Sequence, residues 1–439
     1  MSTNLTISYL PVSFLKPNPK NPRKHSDRQI RLLAKSIRAV GFNVPILVDQ
    51  DNNVIAGHCR ILAARLLGMQ EVPTIRLDHL TEAQAKAFMI ADNRLTEIAV
   101  WDDELLAEQL KTLSELDLNF SLEATGFTMG EIDLRIEGLS LAGEEDVADK
   151  LPTIPMGPPL TKPGDLWLLG DHHRLLCGNA LEVTDYRTLM NDARAAMIFT
   201  DPPYNVKIDG HVSGLGTIRH REFAMAAGEM SETEFISFLT RGCSLMARYS
   251  IDGSIHYICM DWRHMFELLE AGRLAYTELK NVCVWTKDNA GMGSLYRSQH
   301  ELVFVFKHGR AAHRNNVDLG RHGRYRTNVW RYAGINSFSR KTDEGNLMEI
   351  HPTVKPVAMV ADAILDCSAR GDIVLDPFLG SGTTLMAAER TGRICYGLEL
   401  DPVYVDAAIR RWQAYTGGQV INASTGCSFD EMEVSHDER

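Results

Sequence analysis

The stretch TDPPYNV, residues 200–206, follows the apolar run Ala195-Ala196-Met197-Ile198-Phe199. It sets an acid, Asp201, beside two residues without backbone donors, Pro202 and Pro203, and a ring, Tyr204. A turn would use Asp201 and the prolines, but a turn does not ask for Tyr204. Such a group can grip something flat and polar. Asp201 can accept a hydrogen bond from an exocyclic amine, a proline carbonyl can accept a second, and Tyr204 can stack on the ring that carries the amine. The amine of adenine or cytosine is a poor nucleophile, because its lone pair is shared with the ring. Two well-placed acceptors draw it towards a pyramidal nitrogen, which stabilises a transition state more than a ground state. A stacked base cannot reach such a pocket, so it must be flipped out.

A second constellation lies in GDIVLDPFLGSGTTLMAAERTGRICYGLELDPV, residues 371–403. A strand ending at Asp376 leads through Phe378, Gly380, Ser381 and Gly382 into a helix opened by Thr383. The next strand ends at Glu399, with Asp401 two residues on. Glycines let a backbone approach a ligand closely, and an acid at the end of the following strand can hold ribose hydroxyls. The spacing is not the dinucleotide fingerprint, and the lysine of a P-loop is missing. Asp376 would repel a phosphate and attract a cation. A ligand with adenosine at one end and a positive charge at the other fits, and S-adenosyl-L-methionine is that ligand.

The elements that must position these groups alternate. RAAMIFT, GSIHYICM, LKNVCVWTK, HELVFVFKHG, DIVLDPF and RICYGLEL read as strands. MSETEFISFLTRGCSLMA, DWRHMFELLEAG, KPVAMVADAILDCS, GSGTTLMAAERTG and DPVYVDAAIRRWQAYTG read as helices. Ser231 with Glu234 three residues on is a capping box. This alternation predicts an α/β fold, a Rossmann-like, mostly parallel sheet with helices on both faces. Upstream, DRQIRLLAKSIRAVGF has helical spacing and stops at Gly41, VPILVDQDNNVIAG reads as two short strands, and residues 81–118 read as helical. That part is a smaller α+β domain with a helical tail, residues 1–140. Five of seventeen prolines fall in LPTIPMGPPLTKP, which predicts a linker over 141–162. The catalytic domain then spans 163–420, and 421–439 reads as a flexible tail.

The chain has 439 residues, 44% hydrophobic and 23% charged, a profile of globular domains. Its net charge of −11 excludes a simple nucleic-acid coat, but the distribution is uneven. Residues 307–341 carry nine Lys/Arg against Asp318, and 16–38 carry eight against one acid. Residues 97–149 carry fifteen acids and two bases, and read as a solvated face. Arginine forks suit phosphates and guanine edges. Arg314, Arg321, Arg324, Arg326 and Arg331 are therefore candidate contacts to double-stranded DNA, in a target-recognition region at 307–350. Eight scattered cysteines without a C-x-x-C pair predict reduced thiols in a cytoplasmic protein. No secretory signal, membrane span or metal-ligand cluster is read.

DPPY at 201–204, HPTVKP at 351–356, DPFLGSGTT at 376–384 and GLELDPVYVDAAIRR at 397–411 resemble the motifs of the DNA amino-methyltransferases. Their order, catalytic motif before cofactor motifs, is similar to the β group. The resemblance covers roughly 163–415. It implies that Asp201, Pro202, Pro203 and Tyr204 hold the target base. It implies that Asp376, Phe378, Gly380, Ser381, Gly382, Thr383, Glu399 and Asp401 line the cofactor, with His351, Thr353 and Lys355 at its methionine end. The DPPY form implies N6-adenine as the target, with N4-cytosine as the alternative. A dimer is a further expectation from the resemblance. Other readings stay open: an RNA substrate, or a DNA-binding partition-type protein with an inactive methyltransferase module.

IRAVGFNVPILVDQDNNVIAGHCRILAARLLGMQEVPTI resembles the ParB-like domain of chromosome-partition proteins and its sulfiredoxin relatives. Gly57, His58 and Arg60 at a helix start would suit a phosphate, so a nucleotide is an expected second ligand. The order His58-Cys59 departs from sulfiredoxin, where the cysteine precedes the histidine. A structural accessory role is the alternative.

Overall fold

The computed structural model describes residues 5–19, 21–99, 101–138, 147–149, 157–206, 228–288, 295–320, 323–333 and 354–437. The chain divides into two compact units, Met1–Leu141 and Ala142–Arg439.

The first unit runs β1 (Ile7–Pro11), α1 (Asp27–Val40), β2 (Ile46–Val48), β3 (Val54–Ala56), α2 (His58–Leu66), β4 (Glu71–Arg76), α3 (Glu82–Ile98), α4 (Asp103–Ser114) and α5 (Met129–Gly138). Its sheet has the order β1-β4-β2-β3, with β2 parallel to β4 and the other pairs antiparallel. Ile46, Val48, Val54, Ile61 and Val72 form its buried centre. The helix expected up to Gly41 is α1. Ser26 accepts the Gln29 amide at its start, and Gly41, at φ 90°, closes it.

The second unit runs β5 (Leu166–Leu169), β6 (His173–Cys177), α6 (Val183–Met190), β7 (Ala195–Thr200), α7 (Glu232–Arg248), β8 (Ser250–Met260), α8 (Met265–Ala275), β9 (Glu278–Thr286), β10 (His300–Lys307), β11 (Val329–Arg331), α9 (Val357–Cys367), β12 (Ile373–Asp376), α10 (Thr383–Thr391), β13 (Ile394–Glu399), α11 (Pro402–Thr416), β14 (Val420–Asn422) and α12 (Phe429–Asp437). Ten strands form one sheet in the order β11-β9-β10-β8-β7-β12-β13-β6-β5-β14. The central run β8-β7-β12-β13-β6 is parallel. The flanks are mixed, because β10 and β5 enter antiparallel to their neighbours. Side chains from α9, α10 and α11 form one core cluster, and those of α6, α7 and α8 another. From β7 the chain steps to β8 on one side. From β12, on the other side of β7, it steps to β13. The crevice at the carboxyl ends of β7 and β12 is the place where such sheets bind ligands.

Two sequence expectations change. The stretch read as a linker, 141–162, is held onto the second unit in its described parts. The amides of Leu160 and Thr161 donate to the buried Asp406 at 2.8 and 3.1 Å, and the buried Arg411 donates to the Ala148 carbonyl at 2.8 Å. Its prolines leave few donors, and the two at 160 and 161 find one carboxylate. The tail expected to be flexible over 421–439 forms the end of β14 and then α12 instead. Phe429 is fully buried, its ring 5.4 Å from that of Trp167. Phe429, Met432 and Val434, scattered among charges, were too weak a periodic signal to read. Phe429→Ala should therefore cost about 3–5 kcal/mol, read as a shifted denaturation midpoint. A free tail would leave the midpoint unmoved.

All eight cysteines are free, and only Cys427 is exposed. Among the described residues no helix is long and apolar enough to cross a membrane.

Candidate active site

The crevice is locked from beneath by Asp376. Thr200, the last residue of β7, donates to Asp376 Oδ1 at 2.7 Å, so the two strand ends are tied together. Thr384 donates to Oδ2 at 2.6 Å, and the Phe378 amide to Oδ1 at 3.1 Å. Burial pushes this carboxyl up to about 6, and the three donors oppose the rise. Asp376 thus joins β7, β12 and the start of α10 before it can act on any ligand.

The glycine loop needs its glycines. Gly380 and Gly382 have φ of 55° and 85°. A Cβ on Gly382 would stand 3.0 Å from the Ala408 Cβ, so the glycine also lets α10 meet α11. Glu399 Oε2 accepts the Gly380 amide and Oε1 the Asp401 amide, both at 2.8 Å. The carboxylate therefore has a fixed direction at the end of β13. Burial drives it up to about 7 against the pull of these amides. Asp401, expected on the cofactor, caps α11 by accepting the Val403 amide at 3.0 Å. Ser381 and Thr383 are buried at the loop, and Arg411 donates to the Ser381 carbonyl at 3.1 Å. Phe378 packs against Phe238 with ring centres 6.0 Å apart.

At the end of β7, Asp201 is set by its neighbours. The Tyr204 hydroxyl donates to Asp201 Oδ1, and the ammonium of Lys355 to Oδ2. Pro202 is buried. Asn205, at φ 54°, accepts the amides of Gly228 and Met230 at 3.1 and 3.2 Å and donates to the Met230 carbonyl at 2.8 Å. It joins the DPPY turn to the start of α7.

Lys355 has protein partners that its motif alone does not show. It was expected at the methionine end of the cofactor. Its ammonium lies among Asp201, Glu301 Oε2 at 3.2 Å and the Tyr204 hydroxyl at 3.4 Å. Glu301, the second residue of β10, also pairs with Lys287, just beyond β9. Strand register explains the meeting. Glu301 lies opposite Trp285 on antiparallel β9, which brings both ends to the carboxyl side of β8. Burial raises the Glu301 carboxyl, but the two ammonium groups outweigh it and hold it at about 2. For Asp201 burial prevails over Lys355, and its carboxyl is raised. His351 and Thr353 lie outside the described residues, as does Arg321.

The basic insert also differs from expectation. Arg324 and Arg326 are not surface contacts but ion-pair partners of Asp362 and Asp366 on α9, at 2.9–3.2 Å. Arg326 further donates to the Tyr332 hydroxyl at 2.7 Å. The insert is thereby fastened to the helix that follows Lys355. Arg314 and Arg331 are exposed.

In the first unit, Gly57 caps α2 at φ 103°. Arg60 donates to the Val44 carbonyl at 2.7 Å, and the His58 ring accepts the Asn18 amide at 3.2 Å. Burial lowers the affinity of His58 for a proton.

Three family models match the chain: the ParB N-terminal domain over residues 1–112, the ParB-methyltransferase HTH domain over 104–163, and DNA methylase, of the N6/N4 type, over 195–410. The HTH match covers α4, within the stretch read as helical, and α5, within the stretch read as a solvated acidic face. The ParB-like nuclease domain-containing protein YnaK of Escherichia coli (strain K12) is 43% identical over 84 residues, 19% of this chain and 97% of YnaK. The type II methyltransferase M2.MboI of Moraxella bovis is 23% identical over 239 residues, 53% of this chain and 85% of the relative. Among solved structures, the complex of M1.HpyAVI with SAM is 20% identical, with a TM-score of 0.38, covering 54% of this chain and 98% of that one.

Proposed function

From a chain that belongs to the DNA methylases of the N6/N4 family and carries a ParB N-terminal domain, we propose a site-specific enzyme that methylates the exocyclic N6 of a flipped-out adenine. The observation that supports transfer to an exocyclic amine is the position of Asp201, and the DPPY form of the motif favours adenine. Asp201 stands at the end of β7, one residue beyond Thr200, whose hydroxyl is tied to Asp376 of the cofactor loop. The acceptor for an amine and the loop for the methyl donor are thus joined at one crevice.

The residues at the loop fit S-adenosyl-L-methionine. Glu399 keeps acceptor capacity beyond its two amides for ribose hydroxyls. The carboxylates at the ends of β12 and β13 disfavour a phosphate ligand and favour a cation. When bound, S-adenosyl-L-methionine supplies a methyl group on a sulfonium. Asp201 accepts one N–H of the target amine and raises the electron density on its nitrogen. Tyr204 holds that carboxylate through its hydroxyl. The prolines present carbonyls without competing amides. Exposed Arg314 and Arg331 are proposed contacts to the DNA backbone.

Glu399 makes cofactor binding sensitive to pH. A carboxyl must be ionised to accept two hydroxyls, and in the free protein this one loses its proton near 7. Affinity should be full above about pH 8 and fall as the pH drops, about 30-fold weaker by pH 5.5. Calorimetric titration with S-adenosyl-L-methionine reads this directly. Glu399→Gln should bind more weakly at neutral pH and lose the slope. An affinity flat between pH 5.5 and 8 would remove Glu399 from the ribose.

The base is tested in a cell. The gene is expressed in a methylation-free bacterial host, and modified bases are read by long-read sequencing. N6-methyladenine at one recurring sequence is expected. N4-methylcytosine would move the target base and leave the pocket chemistry standing.

A further inference from the structure

We propose that Lys355 is the positioning residue of the base pocket, holding Asp201 ionised and aimed until an exocyclic amine takes its place and its ammonium passes to Glu301. This rests on the methyltransferase reading above.

The ammonium has three donors. Three acceptors surround it: Asp201 Oδ2, Glu301 Oε2 at 3.2 Å and the Tyr204 oxygen at 3.4 Å. The lysine side chain is only 5% exposed, with its charge 5.7 Å from the centre of the Tyr204 ring and 5.9 Å from that of Trp285. Both oxygens of Asp201 already carry a protein donor, Tyr204 on Oδ1 and Lys355 on Oδ2. Each oxygen keeps a further lone pair, but one engaged by an ammonium is a weaker acceptor for a neutral amine, so the amine is held most strongly where that donor yields. Tyr204 belongs to the same turn as Asp201. Lys355 has a flexible stem and a second carboxylate within reach. Glu301 is ready to receive it, because Lys287 anchors it from the other side. Two carboxylates and two ammonium groups leave the cluster neutral, and a neutral amine entering it changes no charge. The handover therefore needs only a short swing of one side chain.

The groups facing Asp201 are Lys355, Glu301, Tyr204, Cys259 on β8 and Asp376 on β12. Of these only Lys355 is a cation. With it removed, Glu301 keeps Lys287, and Asp201 faces no cation among these groups, so burial shifts Asp201 towards its protonated form.

The test is the pH profile of Lys355→Met, with tritiated S-adenosyl-L-methionine and unmethylated phage DNA, beside wild type and Lys355→Arg. Wild type and Lys355→Arg should show no acidic limb between pH 6.5 and 9. Lys355→Met should be about 100-fold slower at pH 6.5 and regain about tenfold per pH unit as Asp201 ionises. Cofactor binding by calorimetry serves as the control for folding. A Lys355→Met profile parallel to wild type would overturn the inference, as would a variant that binds cofactor normally and stays inactive to pH 9. If Lys355→Met fails to bind cofactor, Lys355→Arg decides: a wild-type profile supports the handover, and a folded but inactive protein overturns it. If wild type itself transfers no methyl, the methyltransferase reading falls first; an active wild type confines any failure to Lys355.

Discussion

Asp201→Ala should lower the rate of methyl transfer about a thousandfold or more while leaving the affinity for S-adenosyl-L-methionine unchanged. The acceptor on which the amine depends acts as its nitrogen becomes nucleophilic, so its loss appears in the rate. The cofactor loop does not depend on it. Gly380, Glu399 and Asp401 hold one another through the amides at 2.8 Å. Thr200, not Asp201, ties β7 to Asp376. Lys355 keeps Glu301 as a partner in the variant, which it then shares with Lys287. Single-turnover kinetics with calorimetry separates the two effects. An equal loss of rate and of cofactor affinity would show that Asp201 is structural.

Arg326→Ala should destabilise the second unit by about 3–5 kcal/mol. Its guanidinium pairs with Asp362 at 2.9 Å and Asp366 at 3.2 Å and reaches the Tyr332 hydroxyl at 2.7 Å. Asp366 is largely buried, its side chain 10% exposed, and burial already raises its carboxyl against the pull of the two arginines. Removing one arginine leaves carboxylates four residues apart on α9 with a single shared counter-ion, Arg324. The exposed Arg331 makes the contrast. Arg331→Ala should change stability by no more than about 0.5 kcal/mol and weaken DNA binding with a shallower salt dependence. Denaturation midpoints and binding at several salt concentrations measure both. An Arg326→Ala protein with an unmoved midpoint and a reduced salt slope would return Arg326 to the DNA surface.

These two residues mark what the chain's order of residues conveys and what it does not. Asp201, Tyr204, Asp376 and Glu399 stand out because each lies at or just beyond the end of an apolar strand, where the apolar pattern itself does not call for an acid or ring. The capping box of α7 was equally plain: Ser231 and Glu234 satisfy each other's backbone within one turn. Glu301 and Lys287 were not legible. Each is an ordinary charge at the end of a strand, and they join the cluster around Asp201 through Lys355 only because β10 runs antiparallel to β8 and β9. Arg324 and Arg326 misled for the same reason: a basic stretch shows its charge, not the partner it finds on α9. Asn205, directly after DPPY, was not singled out, because its partners at 228 and 230 lie beyond any periodic pattern. The helix α4 lies within the stretch 81–118 read as helical, whereas the acids around Met129–Gly138 hid α5, which composition alone does not distinguish from a solvated surface.

The central claim is that this pocket places a methyl group on the amine of a DNA base. Purified protein is incubated with S-adenosyl-L-methionine and unmethylated DNA, the DNA is digested to nucleosides, and the product is identified by mass. N6-methyladenine from the wild type, and none from Asp201→Ala, is the expected result. DNA left unmodified by a protein that binds the cofactor, across unmethylated genomic DNA of varied sequence, would contradict it.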